Sequence, residues 1–97
     1  MQYEVKKLPD FDKWLSKLKN REARISIARR IERMSYGNMG DCKSIGDKIF
    51  ELRIDKGPGY RVYYCFDGFE IIILLCGGDK STQQRDILLA KKLRKEL

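Results

Sequence analysis

Ninety-seven residues are enough for one small domain, spanning 1–97, and too few for two separate cores. The chain holds 21 Lys and Arg against 14 Asp and Glu, a formal charge of +7, and such a surface favours a polyanionic partner: nucleic acid, an anionic membrane face or an acidic protein. Histidine is absent altogether, which excludes a Cys/His zinc site and leaves Glu, Asp, Lys, Arg, Tyr or Cys for any acid–base chemistry.

The stretch Gln2–Leu8 alternates and then meets Pro9, which predicts a short first strand. Asp10 is placed to cap a helix in which Phe11, Trp14, Leu15 and Leu18 share one face, with Lys13, Lys17 and Lys19 outside it. Asn20 ends that run. A second helix follows from about Arg21 to Met34, with Ile27, Ile31 and Met34 as its inner stripe, Ile25 and Ala28 flanking, and Arg21, Arg24, Arg29, Arg30 and Arg33 outside. Those arginines read as the wet face of the helix or, for Arg29 and Arg30, as contacts to a nucleic-acid backbone. Tyr36–Asp41 is a glycine-punctuated loop.

Beyond it the period becomes two. Lys48–Ile54 sets Phe50, Leu52 and Ile54 on one face and Ile49, Glu51 and Arg53 on the other; a Lys56–Gly59 turn leads into a strand over Tyr60–Phe66. Asp67–Gly68 is a tight-turn signal, and Phe69–Cys76 is the most apolar strand, hence central. This greasy run is far too short to cross a bilayer, and the N-terminus has no signal-peptide core. Cys42, Cys65 and Cys76 have no metal-ligand spacing, and Cys65 and Cys76 sit in apolar runs as small hydrophobes. The expectation is a reducing, cytoplasmic location, with no membrane and no metal or other cofactor. A last helix from about Gln83 to Glu96 carries Ile87, Leu88, Ala90 and Leu93 as its apolar positions.

The order β-α-α-β-β-β-α predicts an α+β fold: a small twisted antiparallel sheet, an N-terminal helical hairpin and a C-terminal helix, with the helices on one face and the other face partly open. Side-chain parity then puts Glu51, Arg53, Arg61 and Tyr63 on the open face, with Arg53 roughly opposite Arg61 across the Gly57–Pro58 turn. That constellation reads either as a cross-strand ladder on a solvated face or as an anion site with a stacking surface.

Gly77-Gly78-Asp79-Lys80-Ser81-Thr82 resembles a phosphate loop at first sight. It does not fit GxxxxGK[ST], because Asp79 separates Gly78 from Lys80 and strand residues occupy the place of the first glycine. The glycines turn the chain out of the strand, Ser81 or Thr82 is placed to cap the last helix, and Lys80 is left beside a helix N-terminus that favours anions. The basic end Lys91-Lys92-Leu93-Arg94-Lys95 suits the helix dipole and can also flank a polyanion groove.

Taken together, Phe50–Tyr64, Ile71–Gln83 and Asp86–Leu93 resemble the RelE/ParE toxin superfamily, and within it the HigB-like addiction-module killer proteins; the likeness covers nearly the whole chain. The resemblance implies the toxin of a type II toxin–antitoxin pair, a ribosome-dependent mRNA endoribonuclease forming a 2′,3′-cyclic phosphate. Carried over by position, Arg53, Arg61 and Lys80 are the catalytic residues. Glu51, Tyr63, Asp79, Gln83 and Asp86 are candidates for proton transfer or substrate contact; Arg29, Arg30, Arg85, Lys91 and Lys92 are candidates for RNA binding. Several relatives carry Tyr or His near the start of the last helix, where this chain has Gln83, Gln84, Arg85 and Asp86, so the general base is left open. The implied partners are the ribosome, mRNA and a cognate antitoxin, a helix-turn-helix DNA-binding protein, in a complex such as a heterotetramer. The alternatives are a ParE-like poison of DNA gyrase without nuclease activity and a catalytically inactive basic binding module.

Overall fold

The computed structural model describes residues 2–97. The elements are β1 (Glu4–Lys7), α1 (Pro9–Lys17), α2 (Arg21–Ser35), β2 (Cys42–Ser44), β3 (Phe50–Ile54), β4 (Tyr60–Asp67), β5 (Ile71–Asp79), a 3₁₀ turn (Lys80–Thr82) and α3 (Gln83–Lys95). The sheet order is β1-β5-β4-β3-β2. β5 is therefore internal, and β2 to β5 form an antiparallel meander. β1 returns to the far side of β5 in parallel, so the expected α+β sheet is mostly antiparallel. β2 lies between the Tyr36–Asp41 loop and the Lys48–Ile54 strand, in residues that the sequence pattern assigned to no element. Its three residues pair with Leu52, Glu51 and Phe50, and three residues are too few to show an alternation.

The helical hairpin forms as its spacing suggests. Asn20 does more than interrupt: its side chain accepts from the Ala23 N–H and caps α2. α1 instead starts after Leu8 with Pro9 in its first turn, and Asp10 lies inside the helix rather than capping it. Phe11 of α1 and Ala23, Ile27, Ile31 and Met34 of α2 bury against Leu52, Ile54, Val62, Tyr64, Ile72 and Leu74. Ile25, at the flank, is 40% exposed.

The other face is not open. α3 lies across it, and Ala90 buries with Ile49, Tyr63, Cys65, Ile73, Leu75 and Cys76. Leu88 points away and is 68% exposed, whereas Leu89 packs inward. Amphipathicity told which residues of α3 were apolar, but not which sheet face the helix would cover. Placing helices on both faces corrects the expected one-sided arrangement.

A bulge in β5 sets the local geometry. Tyr63 pairs with Cys76 and Tyr64 with Leu74, so Leu75 is the extra residue. Leu75 and Cys76 consequently both face α3. A side chain on Gly77 would strike the Trp14 ring of α1, and one on Gly78 would strike the Asp86 carboxylate and Thr82 of the α3 start. The pair is glycine because a helix approaches each side of the strand.

Candidate functional site

The register pairs Arg53 of β3 with Arg61 of β4, and Arg61 in turn with Gly78 of β5. Lys80 follows one residue after β5 and donates its backbone N–H to the Gly59 carbonyl at 2.9 Å. That same carbonyl accepts from Arg61 Nη1 at 3.1 Å. One turn thus holds the lysine backbone and an arginine head group side by side, at the end of the sheet where Arg53 also stands. The three sequence-predicted cations meet at this end.

Their surroundings differ. Lys80 is exposed. The Arg61 side chain is 12% exposed and its Nε lies 3.7 Å from Glu51 Oε1. Arg53 is half-exposed and reaches Asp41 at 3.5 Å. Asp41 was read as loop; it became a site residue because β2, which begins at the next residue, pairs with β3 and delivers it.

Glu51 and Tyr63 were expected on an open face, and both are fully buried beneath the first turn of α3. Glu51 accepts from Tyr63 Oη at 3.0 Å and from Gln83 Nε2 at 2.8 Å. A carboxylate at 0% exposure is held by hydrogen bonds from β4 and α3 and by the charge of Arg61, as a buried charge requires. Burial first, and then the Glu51 charge and hydrogen bond, push the Tyr63 phenol far up, so it stays a donor and cannot give up its proton at neutral pH.

Asp79 and Asp86 are likewise occupied. The Asp79 carboxylate takes the Ser81 N–H at 2.8 Å and caps the 3₁₀ turn, while Thr82 Oγ1 returns to the Asp79 N–H. Asp79 thus caps the 3₁₀ turn, while Thr82 holds the N-cap position of α3 without a capping bond from its hydroxyl. Asp86 is 4% exposed and accepts from Thr82 Oγ1, with Arg85 Nε 3.6 Å away. Burial, and secondarily Asp86, push the Cys76 thiol up to about 12. All five candidates for proton transfer are engaged in bonds within the chain, and of the three cations only Lys80 is both exposed and free of an ion pair among the described residues.

The remaining basic candidates divide. Arg85 is 78% exposed and lines a shallow cleft with Lys80 and Gln84 beside the cations. Arg29 is exposed on α2, but Arg30 turns inward and donates from Nη1 to the Arg53 carbonyl at 2.8 Å. Lys91 pairs with Asp47 at 3.7 Å, and Lys92 is its exposed neighbour. Both lie about 12 Å along α3 from Gln83, at ~1.5 Å per residue, and so stand apart from the cation cluster.

One physical sign marks this end of the molecule. Among the described residues, buried side-chain nitrogens and oxygens without a hydrogen-bond partner belong to Arg30, Glu51, Arg53, Arg61 and Arg94. Three of those five residues, Glu51, Arg53 and Arg61, belong to the site. Buried polar atoms are nearly always satisfied, and exceptions mark strain or a function. The Nε atoms of Arg53 and Arg61 are themselves buried, so the group open to an anion at this end is the exposed Lys80 ammonium.

Known proteins supply the frame for this geometry. A protein of Haemophilus influenzae described only as uncharacterized is 56% identical over 97 residues, covering 100% of this chain and 98% of its own. Escherichia coli toxin RelE, in the free state of a double mutant, superposes with a TM-score of 0.74 at 16% identity, over 97% of this chain and 98% of that one. The RelBE2 toxin–antitoxin complex of Mycobacterium tuberculosis contains a chain matching with a TM-score of 0.66 at 18% identity, over 82% of this chain and 100% of that one. At such identities the likeness establishes a RelE-like fold. A family model, phage derived protein Gp49-like (DUF891), matches residues 13–95, and this span includes every element except β1 and the start of α1: the chain belongs to the Gp49-like (DUF891) family.

Proposed function

We propose that this protein is the toxin of a type II toxin–antitoxin pair, of HigB type, and that it cleaves mRNA on the ribosome. The observation that carries the reading is the meeting of Arg53, Arg61 and Lys80 at one end of the sheet, over a buried carboxylate that fixes Arg61. The RelE-like fold agrees with it.

In the reaction the ribose 2′-oxygen attacks the adjacent phosphorus and loses its proton. The bond from phosphorus to the 5′-oxygen breaks, that oxygen takes up a proton, and the products are a 2′,3′-cyclic phosphate and a 5′-OH. Negative charge grows on the equatorial oxygens in the transition state. Arg61 and Lys80 are the donors for that charge, with Arg53 beside them; such groups act most strongly when they are fixed before the reaction begins. Glu51 acts through Arg61, because a buried carboxylate bonded to Tyr63 and Gln83 has no access to a substrate proton. With every carboxylate near the site engaged, the chain supplies electrostatics, and orientation of the 2′-oxygen falls to the ribosome-bound message. Arg29 and Arg85 contact the RNA backbone in this reading. A cognate antitoxin covers the same basic end in the cytoplasm, neutralising its charge.

Induction in cells followed by primer extension tests the reading. Codon-phased cuts are expected for the parent protein, with Arg61→Ala and Lys80→Ala each lowering cleavage by about 10²–10³-fold. Intact messages accompanied by double-strand DNA breaks would establish the gyrase-poison alternative instead.

A further inference from the structure

A second basic feature lies outside the cation cluster. Between α2 and the turn after β3 runs a cleft of ≈ 370 Å³ lined by Ser26, Arg29, Arg30, Arg33, Asp55 and Lys56. We propose that this cleft is a second phosphate-binding subsite, which holds the RNA backbone flanking the cleaved bond. The proposal rests on the reading above that RNA is the substrate, and it extends the RNA contact of Arg29 to a built site that includes Arg33 and Lys56.

The charges in the cleft are unspent. Arg53, Arg61, Arg85 and Lys91 each have a carboxylate within 4.0 Å, whereas Arg29, Arg30, Arg33 and Lys56 have none among the described residues. Four cations face one acid, Asp55, with which none of them pairs. Cations gathered this way repel one another and raise the local concentration of any polyanion. The Ser26 hydroxyl adds a hydrogen-bonding group to the same wall.

The cleft is joined to the candidate site by bonded contacts. Arg30 forms its floor and binds the Arg53 carbonyl at 2.8 Å. Lys56 belongs to the turn whose next residues end in Gly59, the carbonyl shared by Lys80 and Arg61. A strand of RNA leaving the cation cluster therefore crosses one turn to reach the cleft. Arg29 and Arg33 are one helical turn apart, about 6 Å along α2, a spacing on the scale of successive phosphates.

The lining selects the class of ligand. Its aliphatic member, Ile54, is 2% exposed, so the cleft offers charge without an apolar anchor. A protein partner needs a desolvated apolar centre to bind firmly. A nucleic-acid backbone needs only the cations, and the contact carries no sequence preference.

The test measures binding of a fluorescent 12-nucleotide single-stranded RNA across a salt series, using full-length protein with Arg61→Ala to suppress cleavage. Each phosphate contact contributes about 0.7 to the log–log salt slope for single strands. Arg29→Ala with Arg33→Ala should make the slope shallower by about 1.4 and weaken binding about 25-fold at 0.1 M salt. Lys56→Ala alone should remove about 0.7. These side chains are exposed, and unchanged circular dichroism confirms that the variants are folded. An unchanged slope would overturn the subsite, and so would loss of poly-glutamate binding with RNA binding intact, which assigns the cleft to an acidic protein. Primer extension with Arg61 restored separates the two readings. Slope changes without mRNA cleavage remove the nuclease and keep the subsite; cleavage with unchanged slopes does the reverse.

Discussion

One face of the sheet buries Leu52, Val62, Tyr64, Ile72 and Leu74 against two helices, and every member of that cluster is hydrophobic. The face under α3 also buries apolar residues, but Glu51 lies among its neighbours at 0% exposure and Asp86 at 4%. The first face stabilises by removing apolar surface from water, a force without direction. The second spends part of its area on groups that are tolerated only when each is bonded, and so fixes where Arg61 and the start of α3 sit. The comparison teaches that stability and site geometry are separable in this fold: one side of β3 and β4 holds the domain together, and the other orients its cations.

A large effect that can break this division is a truncation on the hairpin face. Leu52→Ala should cost about 2–5 kcal/mol; in a domain of this size each kcal/mol lowers Tm by roughly 4–8 °C. Thermal unfolding measures it, and RNA binding well below the new Tm should match the parent. Loss of binding without loss of Tm would show that this face also sets the site.

Glu51 gives the opposite test. Glu51→Ala leaves Arg61, Tyr63 and Gln83 facing a void, and breaking a buried pair costs about 3–5 kcal/mol. Glu51→Gln keeps the volume and an acceptor for Tyr63 but leaves the Arg61 charge without its partner, so it should cost less than Glu51→Ala, about 1–3 kcal/mol. RNA cleavage should nevertheless fall about 10²-fold through a misplaced Arg61. A Gln variant that melts early and cleaves normally would make the carboxylate structural only.

Alkaline pH should act on the α3 face and, through the buried Tyr64 phenol, on the hairpin face as well. Tyr63, Cys65 and Cys76 are all raised, first of all by burial. The folded chain keeps protons that the unfolded chain loses, so the stabilisation is fully present below the unfolded values and is lost as pH rises. For Cys76 that window runs from the unfolded thiol range, about 8.5, towards about 12. Denaturant midpoints should fall steadily above roughly pH 9. At pH 8, iodoacetamide should modify the half-buried Cys42 and spare the buried Cys65 and Cys76. Equal labelling of all three would mean that the α3 face opens readily.

How far these features were legible follows the same division. Phe50, Leu52 and Ile54 alternate, and the helices carry their stripes at 3.6-residue spacing, so the hairpin face and the Arg53–Arg61 pairing could be read from pattern alone. The α3 face could not. Glu51 alternates like a solvated residue, and nothing local reports that a helix more than thirty residues later lies over it. The bulge at Leu75 breaks parity without any glycine or proline at that position. Gly77 and Gly78 were read as an exit from the strand, but β5 runs on through both to Asp79, pairing them with Val62 and Arg61, and the reason for glycine there is contact with Trp14 and Asp86. The Arg53, Arg61 and Lys80 triad rested on a family resemblance, and their meeting in the fold is a matter of register that parity had half supplied.

The smallest expected effect is also the sharpest on the α3 side. Gln83 carries the side-chain bond from α3 to Glu51, at 2.8 Å. Gln83→Ala deletes one hydrogen bond to a charged acceptor that still keeps Tyr63 and Arg61, so the cost should be about 1–2 kcal/mol. Global stability is a blunt reader of a change that size; amide exchange is a better one, because local opening is reported residue by residue. Without the tether, amides in the first α3 turn that have intrahelical partners, around Ile87 and Leu88, should exchange faster, while those of α2 stay as they were. The Asp79 cap and the Thr82–Asp86 bond remain in the variant, so faster exchange would isolate the Gln83–Glu51 contact as the clamp. Unchanged exchange would assign the docking of α3 to the Asp79 cap and to Ala90, and the polar network would then order Arg61 but not the helix above it.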